Sequence, residues 1–91
     1  MTLSDFFYQN GWCQNAEALN EKEMPCYPTS PEAAKFCIAG AYRKVTGCGI
    51  TPNCYLNIAA RQEGFQDVVY LNDSPGTTKE KVIKFLEKYN I

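Results

Sequence analysis

The chain has 91 residues, 45% hydrophobic and 13% aromatic, with nine Lys and Arg against ten Asp and Glu and no histidine. A near-neutral balance gives no overall pull toward phosphate backbones or anionic membranes. The missing imidazole excludes Ser-His and Cys-His nucleophile pairs and the usual histidine metal ligands.

That length is expected to form a single globular domain over residues 1–91, with one small core. Thr2 followed by Asp5 reads as the start of a first helix of about two turns. Leu3, Phe6 and Phe7 share one face of it, Asn10-Gly11 is expected to stop it in a left-handed conformation, and Trp12 to fold back onto it. Gln14 to Thr29 has no sustained period and carries prolines at 25 and 28, so it reads as a long irregular connection with a helical turn near Ala16 to Leu19.

Ser30-Pro31-Glu32 has the form of a helix start, a capping hydroxyl followed by a proline whose missing N–H costs nothing there. A central helix is expected over Pro31 to Thr46, with Ala34, Cys37, Ile38, Ala41 and Val45 as its apolar stripe. Its small residues Ala39, Gly40 and Ala41 would let another element approach closely. Thr51-Pro52 repeats the cap-then-proline signal, and a third helix should run to about Glu63, end at Gly64 and be covered by Phe65. Val68-Val69-Tyr70-Leu71 is β-branched and aromatic, and reads as a strand. Thr77-Thr78-Lys79-Glu80 then opens a last helix with Val82, Ile83, Leu86 and Tyr89 inward. The fold class expected is α+β: a small α-rich domain of about four helices with one or two short strands.

Five cysteines (13, 26, 37, 48 and 54) are an odd number without a C-x-x-C pair. They are expected as reduced thiols in the cytoplasm, with no cofactor and no metal, although Cys48 and Cys54 bracket a turn and leave a structural zinc to be tested. No apolar run approaches the ~20 residues of a membrane span. The charge is uneven: five acids and one base lie in residues 1–32, and four lysines against two glutamates in residues 78–91.

Gly11-Trp12-Cys13-Gln14 with Ala16, Phe36-Cys37 with Gly40-Ala41, and Asn72-Asp73 with Gly76-Thr77 occur in an order that resembles a family of small bacterial and bacteriophage proteins. That family is grouped as a domain of unknown function. Its members carry W-[TC]-Q-x-A, F-C-x-x-G-A and W-N-D-x-x-G-x-T, and this chain departs from the last motif with Leu71 in the tryptophan position. The resemblance implies an architecture and no reaction. The phage occurrence of relatives implies an accessory role, such as interference with a host defence complex of the kind anti-CRISPR proteins perform.

Two function classes follow. The first is a non-enzymatic binding module for a protein partner, using the acidic residues Glu17, Glu21 and Glu23 and the lysines Lys81, Lys84 and Lys88 of the last helix; nucleic acid is the weaker partner for those lysines. The second is a small-ligand binder or thiol-dependent enzyme whose pocket gathers Trp12, Cys13, Cys37, Asn72 and Asp73. Against it, Cys37 lies on an apolar stripe where a thiol acts as a small hydrophobe, and Asn72 and Asp73 suit a backbone turn.

Overall fold

Residues 1–91 are described by a computed structural model, an α+β arrangement of five helices and one small three-stranded sheet. Helix α1 (Leu3–Gln9) starts as expected, with Thr2 Oγ1 accepting from Asp5 N at 3.1 Å and Asp5 Oδ2 from Thr2 N at 3.3 Å. Its Phe6 ring meets Phe36 edge-on, with centroids 4.9 Å apart. Helix α5 (Lys79–Lys88) packs along it, and the Ile91 backbone oxygen accepts from Leu3 N at 2.7 Å, so the chain's end satisfies orphan donors at the α1 N-terminus.

The residue after α1 is extended, not left-handed, and leads directly into β1 (Gly11–Trp12). Glycine is needed at position 11 for proximity, because a Cβ there would lie 2.7 Å from Lys35 Cγ. Strand β2 (Ala18–Leu19) replaces the helical turn expected near Ala16, and β3 (Lys35–Phe36) lies between the other two, parallel to β1 and antiparallel to β2. Residues 18–26 form a hairpin arm, with Cys26 N donating to Ala18 O and Asn20 N to Met24 O.

The central helix starts later than the Ser30-Pro31-Glu32 signal implies. That signal makes one turn, in which Ala33 N donates to Ser30 O, and the chain then extends because its backbone groups are taken by neighbours. Ala34 N reaches Leu19 O at 2.8 Å, Ala34 O accepts from Gly11 N, and Phe36 O accepts from Cys13 N. Helix α2 is Ile38–Thr46, and Cys37, expected in mid-helix, is its N-cap. Helix α3 (Tyr55–Gln62) also begins after its Thr-Pro signal; Gly64, at φ 91°, follows its end, and Phe65 packs against the core.

Val68–Asp73 is a helix, α4, and not a strand. Asp67 caps it, its Oδ1 accepting from Tyr70 N at 2.7 Å, which contributes about 1 kcal/mol. Val68 and Leu71, three apart, then face inward together. A β-propensity scale spanning ~1 kcal/mol does not outweigh the cap plus the burial of two aliphatic side chains. Phe7, Ile38, Leu56, Val68, Val82 and Leu86, one or more from each helix, are among the fully buried residues of a single core cluster.

Candidate functional site

The residues read as a pocket do converge, but they fill the space themselves. Asn72, 1% exposed, sits in the last turn of α4. Its Oδ1 accepts from Trp12 Nε1 at 2.8 Å and from Ile38 N at 3.0 Å, and its Nδ2 donates to Cys13 O at 3.1 Å and to Asp73 Oδ1 at 2.9 Å. An asparagine amide has two acceptor and two donor positions, and all four are used. Gln14 Nε2 donates to the carbonyls of Asn72 and Ser74, and Asn15 N donates to Asp73 Oδ1 at 2.9 Å. The end of β1, the start of α2 and the end of α4 are thereby bonded through one side chain.

The thiols of this network are held in the protonated form. Burial pushes the Cys13 thiol up to about 12, and Cys37 and Asp73 nearby add to the effect. At Cys37, burial again dominates and raises the pKa, against the lowering effect of donors from Gly40 and Ala39 at the α2 N-terminus; Sγ accepts from Gly40 N at 3.2 Å. A helix N-terminus ordinarily favours thiolate, but here desolvation wins. Gly40 is a contact point as well: a Cβ there would stand 1.9 Å from Glu17 O. None of Trp12, Cys13, Cys37 or Asn72 lines any of the five principal surface clefts.

The charges read as a partner surface are mostly engaged locally. Glu17 accepts from Arg43 Nε at 3.1 Å, Glu23 pairs with Lys35, Lys81 donates to Gly76 O and Lys88 to Glu63. Glu21 and Lys84 are exposed and make no side-chain bond. Glu63 is held below the usual carboxylate range by donors from Lys88 and Tyr89. All five cysteines are free, and no three Cys, Asp or Glu side chains form a group able to hold a metal ion. No helix is long and apolar enough to cross a membrane.

A different surface stands out, one hidden from sequence reading by the strand assignment. At 100° per residue, Val68, Leu71 and Asn72 span about 100° on the inner side of α4, while Val69, Asp73 and Tyr70 span about 100° on the outer side. Asp73 falls between the other two. Val69 is 46% and Tyr70 59% exposed. Two clefts share Gln66, Asp67 and Val69: one of about 400 Å³ continues over Tyr70, Asp73, Ser74 and Pro75, the other of about 340 Å³ over Ile50, Pro52, Asn57 and Arg61. Arg61 pairs with no carboxylate; it donates to the carbonyls of Pro52 and Gln66. The signal available in sequence was Asp67 as an N-cap followed by apolar residues at i and i+3.

The family described as "Family of unknown function (DUF6197)" matches residues 5–89. No curated protein and no solved structure matches the chain.

Proposed function

We propose that this chain, which belongs to the DUF6197 family of unknown function, is a protein-binding module whose docking surface is the outer face of α4. One observation carries the reading: two adjoining clefts flank Val69 of α4, with exposed Tyr70 and the carboxylate of Asp73 on the same helix, Asp67 at its cap and Arg61 of α3 across the smaller cleft. Aromatic anchors ringed by polar groups are the usual composition of binding hot spots. The buried thiols and the fully bonded Asn72 amide support a binding role over thiol chemistry. Five free thiols fit a reducing, cytoplasmic setting. Occlusion of a host assembly by a phage-carried protein is the form of this role that the resemblance favours.

The test is capture of a partner by tagged protein from lysate of the source cell, compared with Val69→Arg and Tyr70→Ser. Both positions point away from the core, so both variants should fold, Val69→Arg with an unchanged thermal midpoint and Tyr70→Ser with one lowered only by loss of the Phe65 contact, and both should lose a stoichiometric partner. Capture unchanged in both variants would overturn the assignment of this face.

A further inference from the structure

The clefts on α4 differ in charge, and the charged residues lining the larger one are both acids. Its walls carry the carboxylates of Asp67 and Asp73, the Tyr70 ring, Val69, Pro75, Gln66 and Ser74, with no Lys or Arg. Neither carboxylate takes part in an ion pair. Each is nonetheless fixed in place through one oxygen, Asp67 Oδ1 by Tyr70 N and Asp73 Oδ1 by Asn15 N and Asn72 Nδ2, while Oδ2 of each has no partner within the protein. Tyr70 is held against Phe65, with ring centroids 6.4 Å apart.

From this charge complementarity we infer that the larger cleft takes a basic side chain of a partner polypeptide, its cationic head against Asp73 Oδ2 and the Tyr70 ring and its methylene stem along Val69 and Pro75. The inference rests on the reading of α4 as a docking face and adds the chemical class of the partner. An arginine suits the site better than a compact ammonium, because a planar guanidinium can stack on tyrosine and still donate edge-on to a carboxylate. A carboxylate already pinned by two donors costs little entropy on pairing.

The probe is a terminally blocked five-residue peptide with central arginine flanked by leucine, titrated into ¹⁵N-labelled full-length protein and compared with the peptide carrying neutral, isosteric citrulline. The expected result is amide shifts concentrated in residues 66–75, with binding at least tenfold weaker for citrulline and for the double variant Asp67→Asn, Asp73→Asn. Asparagine keeps both Oδ1 acceptors, so the fold is retained, which a spectrum unchanged outside residues 66–75 and Asn15, whose N–H bonds Asp73 Oδ1, checks. Equal binding of the arginine and citrulline peptides, shifts spread beyond residues 66–75 and Asn15, or no shifts at millimolar peptide would each overturn the inference. If the peptide fails while Val69→Arg and Tyr70→Ser still abolish partner capture, only the basic class is lost. Failure of both removes the docking face itself.

Discussion

Replacing Asn72 with alanine should cost this domain a large part of its stability. The substitution takes away the only side-chain partner of Trp12 Nε1–H and the acceptor of Ile38 N–H, an orphan donor in the first turn of α2, and it removes a donor to Cys13 C=O. Asp73 Oδ1 keeps its bond from Asn15 N, so three groups are stranded. A buried group left without its partner costs about 1–3 kcal/mol, so the sum is roughly 3–6 kcal/mol after allowing for coupling among neighbours. For comparison, 91 residues at the usual stability per residue give roughly 5–14 kcal/mol in total. Urea unfolding at pH 7, followed by Trp12 fluorescence and by far-ultraviolet circular dichroism, reads the effect. With a slope of about 1.5 kcal/mol/M, the midpoint should fall by at least ~2 M. Asn72→Asp keeps Oδ1 but sets a carboxylate beside Cys13 O and Asp73. Burial raises that carboxyl's folded pKa above its unfolded value, so its penalty is smallest in acid and grows as pH rises toward 7. A midpoint shift under ~0.7 M for Asn72→Ala, with the slope unchanged, would refute the view that this amide ties the segments together.

Four other outcomes are expected. With iodoacetamide at pH 8, mass spectrometry should find exposed Cys48 labelled first and Cys13 and Cys37 last; fast labelling of Cys37 would instead favour thiol chemistry. The Cys13 thiol titrates near 12 folded against about 9 unfolded, so its contribution is full below pH 9 and lost as pH rises toward 12; the urea midpoint should decline over that interval. Gly40→Ala should destabilise by at least ~2 kcal/mol in thermal unfolding, because a Cβ meeting Glu17 O at 1.9 Å displaces backbone, and this exceeds the ~1 kcal/mol alanine gains in helix propensity. Glu17→Ala and Glu23→Ala should each change the urea-unfolding free energy by less than ~1 kcal/mol, since their ion pairs with Arg43 and Lys35 are 41–57% exposed.

The parts of the fold that the sequence made legible are those with a local cause. The α1 cap, the apolar faces of α1 and α5 and the stop at Gly64 each follow from residues within one or two turns. The three strands had no such signal, since two residues are too few to show a period of two, and their pairing joins positions 11, 19 and 35 across long separations. Ser30-Pro31-Glu32 misled because a local helix start competes with nonlocal pairing, and at Ala34 to Phe36 the pairing satisfied the same backbone groups. At Val68–Leu71 the β-branched run obscured the Asp67 cap, and with it the face that carries Val69 and Tyr70. The residues read as a pocket, Trp12, Cys13, Cys37, Asn72 and Asp73, lie close together in space. What the sequence could not supply was that their polar atoms satisfy one another, because the bonds join positions 58 to 60 apart and Ile38 N to a residue 34 away.

The inner network and the outer face of α4 share one residue. Asp73 Oδ1 accepts from Asn72 Nδ2 and from Asn15 N, and Asp73 also lines the larger cleft. A helix of six residues has too few internal bonds to hold its outer side chains in register by itself. The bonds from Trp12, Gln14, Asn15 and Ile38 supply that rigidity from β1, the loop after it and α2. The tightly bonded motif residues therefore set the position of the helix that carries the proposed docking face. Substitutions behind α4 that leave the protein folded should weaken docking through loss of this preorganisation, whereas substitution of Val69 should weaken it through loss of contact and leave stability alone.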